Sequence, residues 1–186
     1  MKKKYFNSQL NGSKVILKRH SLDLAETMFN YVDQDRERLR QFLPWVDQTK
    51  TLDDEIGYIK HTHQKWDEYI LFDYGIFDIE SNTYLGNIGT HTISWNNNCC
   101  EIGYWILGKY EGKGFISNAL KTLEKHIFDL GFNRIEVRCS DLNEKSANVP
   151  KSNGYTLEGE LRKNAIELGH YRNTKIFSKL RSEYNV

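Results

Sequence analysis

Apolar positions along the chain follow first a helical period and then a strand period. Lys14 to Lys18 alternates weakly and predicts a short first strand. Leu24, Ala25, Met28, Phe29 and Val32 then recur at helical spacing, with Ser21 placed to cap the helix. Thr51 and Asp54 have the spacing of a capping box, and Ile56, Ile59, His63 and Trp66 follow at helical spacing. The aromatic stretch Phe42-Leu43-Pro44-Trp45 reads as a loop between these helices. Three strand-like runs come next, at 70–79, 84–94 and 101–107, with turn-rich breaks at 78–82 and 96–98. Their order predicts an antiparallel meander.

The period then returns to helix. Ile116, Ala119, Leu120, Leu123, Ile127 and Leu130 form one apolar face, and Gly131 ends it. Ile135, Val137 and Cys139 alternate with polar residues as a strand, a short helix starts near Glu144, and two strands at 155–161 and 171–180 close the chain. The expected fold is α/β, a mixed sheet flanked by helices, in one domain spanning 1–186.

Composition narrows the classes. The chain has 186 residues, 39% hydrophobic and 13% aromatic, enough for a core without covalent staples. Net charge is +1, which gives no support for a nucleic-acid or anionic-membrane surface. No apolar segment follows the basic start Met1–Lys4, and none is long enough to span a bilayer. The cysteines, Cys99, Cys100 and Cys139, are odd in number with two adjacent, which is no disulfide framework. A reducing cytoplasm is the expected compartment. His61 and His63 are two apart on a helix and face different ways, so no metal site is expected.

The most informative stretch runs from Glu101 to Ser117, where a strand leads into Gly112-Lys113-Gly114 and then an amphipathic helix. A helix start presents unpaired N–H groups and a positive dipole end, and glycines let an anion approach closely. Together they form a phosphate or pyrophosphate site. The dinucleotide fingerprint is excluded because Ser117 stands where its third glycine belongs, and a P-loop because Tyr110 follows Lys109. Taken alone, the Gly-x-Gly is more often a plain helix-initiating turn.

Its context changes that reading. Glu101 to Leu120 closely resembles motif A of the GNAT acyltransferase superfamily. Glu101-Ile102-Gly103-Tyr104-Trp105 is similar to the branch that acetylates the N-terminal serine or alanine of ribosomal proteins. Asn143 to Ser146, Asn153-Gly154-Tyr155, Leu157-Glu158-Gly159 and Leu161-Arg162 continue the likeness. The resemblance implies a sheet splayed between the strands at 101–107 and 134–140, with a pantetheine arm in the gap. It assigns that arm to backbone groups of Trp105, Ile106 and Leu107, and the pyrophosphate to amides of Gly112, Lys113, Gly114, Phe115, Ile116 and Ser117. Asn143 matches a cofactor-contacting asparagine, and Ser146 a serine near the sulfur.

The chain departs from the superfamily in three places. Lys109 holds the first position of the Gln/Arg-x-x-Gly-x-Gly pattern, and Asn118 stands where glutamate is frequent. Pro150 replaces the late-helix tyrosine that serves many members as general acid; proline also frees the carbonyl of about Ser146. A free α-amine has a pKa near ~8, so a modest base is enough. Glu101 is the candidate base, the alternative being a structural carboxylate paired with a lysine, and His91 is the second candidate, against simple packing. Ser146 is the candidate donor to the leaving thiolate, against a local helix-start role. Cys139 matches a cysteine proposed as catalytic in part of the branch, but its activating glutamate aligns near Ala165, with Glu167 two residues on; core packing reads better, and direct transfer follows. Trp45, Phe42 and Trp66 are candidates to wall the acceptor pocket, against simple core and lid packing.

The expectation is an acetyl-CoA-dependent N-acetyltransferase acting on a primary amine. The resemblance points to a ribosomal-protein N-terminus as partner and allows a homodimer. The rivals are acetylation of a small amine (a polyamine, amino sugar or drug) and a non-catalytic CoA-binding sensor.

Overall fold

The computed structural model describes residues 2–184; Met1, at the head of the basic start, and Asn185 and Val186 lie outside it. Among the described residues eight strands form one sheet: β1 (Gln9–Asn11), β2 (Val15–Arg19), β3 (Phe72–Asp78), β4 (Tyr84–Ser94), β5 (Cys99–Ile106), β6 (Arg134–Ser140), β7 (Thr156–Glu167) and β8 (His170–Leu180). The helices are α1 (Ala25–Gln34), α2 (Arg36–Leu39), α3 (Leu52–Asp67), α4 (Phe115–Asp129) and α5 (Glu144–Ser152). Strand order is β1-β2-β3-β4-β5-β6-β8-β7, and every neighbouring pair is antiparallel except β5–β6.

That parallel pair is the point where the sheet opens. Register holds only from Cys99–Ile102 against Arg134–Val137. Beyond Ile102 the strands part, and the β6-facing edge of Gly103–Ile106 lines a gap. The backbone groups on that edge have no strand partner in β6 and must find partners elsewhere.

The two sheet faces differ. α4 and α5 cover one: Leu120, Leu123 and Ile127 pack with Leu17, Ile76, Ile88, Ile102 and Val137 in the main core. Each such side chain, fully buried, contributes about 1.5–3 kcal/mol. α1 and α3 cover the other face with a smaller cluster around Ala25, Met28, Ile59 and Tyr84.

Three expectations change. Ser21 does not cap α1: its hydroxyl turns to Asp23 (3.5 Å), a 3₁₀ turn at Leu22–Leu24 intervenes, and α1 starts at Ala25. The last two strands run on to Glu167 and His170, because backbone pairing continues where the side chains no longer bury. The short β1 pairs with β2 without an apolar pattern of its own. The Thr51–Asp54 capping box forms in full: Asp54 N–H donates to Thr51 Oγ1 (3.3 Å) and Thr51 N–H to Asp54 Oδ2 (2.8 Å).

Candidate active site

The glycine turn ends at Gly114, the N-cap of α4, with φ +80°, and Gly112 has φ +72°. Both are left-handed conformations that only glycine adopts without strain. Among the described residues no side chain caps α4 and no acidic residue stands in its first turn, so the amides of Phe115, Ile116 and Ser117 keep their pull on an anion. A Cβ at Gly112 would meet nothing within 4 Å, so the approach is open. The Nζ of Lys14 lies 3.9 Å from the Cβ position of Gly114, and the ammonium groups of Lys109 and Lys113 ride on the Tyr110 ring at 4.9 and 5.6 Å. Donors, open space and cations fit a diphosphate. Asn118 is structural: Oδ1 accepts from the N–H groups of Lys14 (2.9 Å) and Val15 (3.2 Å), tying α4 to β2.

The gap itself is built around a proline. Pro150 sits inside α5 and cannot donate to the carbonyl of Ser146. The hydroxyl of Tyr104, from β5, donates there instead (3.0 Å), and Ser146 Oγ in turn reaches Tyr104 Oη (3.5 Å). Burial pushes the Tyr104 hydroxyl well above its ordinary pKa, so it stays protonated. Sequence reasoning passed over Tyr104; the freed Ser146 carbonyl was the signal that such a donor had to exist. Asn143 Oδ1 caps α5 by accepting from Ser146 N–H (3.0 Å), which fixes the serine. Cys139 faces Ser146, and burial pushes its thiol up to about 11. Glu167 is held by Ser140 Oγ (2.8 Å).

Of the three backbone positions expected to take the pantetheine arm, Leu107 turns its N–H to Leu85 in the β4 direction (3.0 Å). By strand alternation Trp105 faces the same way, and Ile106 faces the gap. The Ile106 carbonyl accepts from Arg38 (2.6 Å). Arg38 also donates to Glu111 (2.6 Å) and to Asp35, whose Oδ2 accepts Gly108 N–H (2.8 Å). The other Glu111 oxygen holds Lys145 (2.6 Å). An ionic strap thus runs from α2, past the end of β5, to the start of α5.

On the α1/α3 face, Glu101 and His91 are cross-strand partners. His91 Nε2 lies 3.9 Å from Glu101 Oε1, and Arg138 Nε lies 3.5 Å from Glu101 Oε2, so the carboxylate pairs with an arginine and not a lysine. The imidazole is 41% exposed and the carboxylate 15%, so both can be reached from outside. Trp105 packs on Trp45 (5.9 Å between centroids) and Tyr84 (6.3 Å), bringing the loop wall to this side. Phe42 lines a surface groove with Leu142 and Leu168. Trp66 is no wall: it is 1% exposed, packed on Phe72 and Tyr74.

The sheet opens at β5/β6, and an uncapped, glycine-led helix follows β5. The GNAT acetyltransferase domain matches residues 14–156, and the chain belongs to that family. It is an acetyl-CoA-dependent N-acetyltransferase. Among its relatives, the Bacillus subtilis protein YdaF, provisionally named a ribosomal N-acetyltransferase, is 27% identical over 162 residues, 86% of this chain and 87% of that one. The ribosomal-protein-serine acetyltransferase of Escherichia coli is 31% identical over 97 residues, 52% and 54% of the two chains. In fold, the chain is similar to RimL, the ribosomal L7/L12 α-N-protein acetyltransferase, solved with coenzyme A joined by a disulfide to a cysteine of that protein (TM-score 0.89, 20% identity, 95% and 99% covered). It is similar also to the microcin C7 self-immunity acetyltransferase MccE, solved with acetyl-CoA and AMP (TM-score 0.86, 24% identity, 90% and 93% covered). Among the described residues no helix is long and apolar enough to cross a membrane.

Proposed function

We propose that the chain acetylates the N-terminal α-amine of a ribosomal protein, by direct attack of the amine on the thioester. The observation that carries this reading is the arrangement of side chains about the gap. Two hydroxyls, Ser146 and Tyr104, meet on one side, and Glu101 and His91 stand on the other. The helix start at 115–117 and the lysines around it hold the diphosphate, and Ile106, whose carbonyl Arg38 already holds, offers its backbone N–H to the pantetheine arm. His91 or Glu101 takes the proton of the attacking amine, directly or through water. The hydroxyl of Ser146 donates to the departing thiolate; its 3.5 Å contact with Tyr104 is at the limit of a hydrogen bond and easily given up. Cys139 remains a thiol and forms no acyl-enzyme. The ribosomal acceptor is supported by the names of the relatives in Bacillus subtilis and Escherichia coli.

The test is release of free CoA from acetyl-CoA with peptides beginning in Ser, Ala or Met beside polyamines and aminoglycosides. Turnover confined to Ser or Ala peptides is expected. Turnover on small amines alone would discard the ribosomal acceptor, and tight acetyl-CoA binding with no turnover on any amine would favour a sensor.

A further inference from the structure

The α1/α3 face carries a second set of ionisable groups, deeper than His91 and Glu101. Asp73 on β3 is 8% exposed, and Glu55 on α3 is 3% exposed with no hydrogen bond or ion pair to its carboxyl among the described residues. The Tyr58 hydroxyl donates to Asp73 Oδ2, and His20 Nδ1, buried and otherwise without a hydrogen bond, lies 3.9 Å from the same oxygen. His20 Nε2 meets Asn87 Oδ1 (3.0 Å), which also accepts from Tyr84 (2.6 Å). A core could hold apolar residues here at lower cost, so this cluster calls for an explanation.

The register supplies one. Asp73 pairs with Gly89, and Gly89 pairs with Gly103, so the three form one row across β3, β4 and β5. A Cβ on Gly89 would lie 2.4 Å from Asp73 Oδ1, and a Cβ on Gly103 would lie 3.1 Å from His91 Nε2. The carboxylate therefore occupies the side-chain site of the first glycine, and the imidazole that of the second. Adjacent strands are ~4.8 Å apart, so the two groups lie about one strand spacing from each other. Two glycines in register let a buried anion and a reachable imidazole lie side by side on the sheet.

We infer that Asp73 is a positioning residue for acetyl transfer, holding through this glycine row the positive charge that His91 gains when it accepts the proton of the amine. The inference rests on His91 acting as that acceptor. Charge balances: the amine loses a proton, His91 becomes imidazolium, and the Asp73 carboxylate lies beside it until the proton leaves to solvent. The groups facing the pair are Thr92 and Tyr84 on β4, Glu101 on β5 with Arg138 beyond it on β6, His20 on β2, and Tyr58 and Glu55 on α3. Burial raises the Asp73 carboxyl, while His20, Tyr58, the Tyr74 amide and His91 each pull it back down. An uncharged Asp73 would leave His91 unsupported, so these partners matter to the role.

The test uses Asp73→Asn, which keeps the shape and an acceptor for Tyr58. Two readouts are taken on the whole chain. One is pH-dependent acylation of His91 by diethyl pyrocarbonate, read by mass spectrometry and independent of turnover. The other is the pH profile of kcat/KM for the acceptor, in chains with His91 and with His91→Gln. In Asp73→Asn, His91 labelling and the acid limb of the profile are expected to move to lower pH. Plateau kcat/KM should fall about tenfold. The same substitution in the His91→Gln chain should cost under about twofold. Unmoved labelling, or an equal loss in both backgrounds, would overturn the inference and leave Asp73 structural. Moved labelling with a turnover profile that ignores His91→Gln would keep the charge coupling and remove His91 from the chemistry.

Discussion

The two faces of the sheet make their half-sites from different materials. On the α4/α5 face the chain uses backbone: two left-handed glycines, an uncapped helix start and a strand edge freed by the splay. On the α1/α3 face it uses side chains brought from β3, β4, β5, β6 and the loop at Trp45. Backbone recognition depends on local geometry and can serve any acceptor chemistry. Side-chain recognition depends on long-range register and can change with few substitutions.

The largest expected effect breaks the backbone half. Gly114→Val forces a β-branched residue to φ +80°. Acetyl-CoA affinity by calorimetry should fall by about 30-fold or more, from strain of about 1–2 kcal/mol and a shifted helix start. An unchanged Kd would place the diphosphate elsewhere. Next is the bridge between the halves. Ser146→Ala should slow turnover by about 10–100-fold while CoA affinity stays within about threefold. Tyr104→Phe should add a stability loss of about 1–2 kcal/mol by chemical denaturation, because the Ser146 carbonyl then has no donor.

A smaller effect belongs to the strap. Arg38→Ala leaves Asp35 and Glu111 without their shared cation, and should raise KM for both acetyl-CoA and acceptor by several-fold; a rise for one alone would limit Arg38 to that half. The smallest is a pH effect on the buried cluster. Burial, with the Asp73 charge adding to it, raises Glu55 to about 7, above its ordinary 4.5. Between those values the folded chain binds more protons than the unfolded one, so Glu55 costs stability increasingly as pH rises from 4.5 and fully above 7. Glu55→Gln should therefore raise Tm by about 3 °C at pH 8 and by little at pH 4.5.

The same contrast explains what the sequence disclosed. The turn at Gly112–Gly114, the apolar face of α4 and the capping box of α3 are local patterns, and each appears where its spacing placed it. Pro150 disclosed a free carbonyl at Ser146 but not the tyrosine that answers it, since that contact spans 42 residues. Asp73 and Gly89 are meaningful only once β3 and β4 are in register, and no periodicity along the chain shows that. Ser21 had a good cap residue's chemistry, but its hydroxyl went to Asp23 and the helix began later.

The central claim is that the two halves meet across the gap and pass the acetyl group in one step. Rapid-quench intact mass spectrometry of the chain with acetyl-CoA and no amine tests it most directly. The account predicts an unmodified chain at all times, and Cys139→Ala with near-full turnover when an amine is supplied. An acetyl group found on Cys139 within the turnover time, and lost on adding amine, would contradict it.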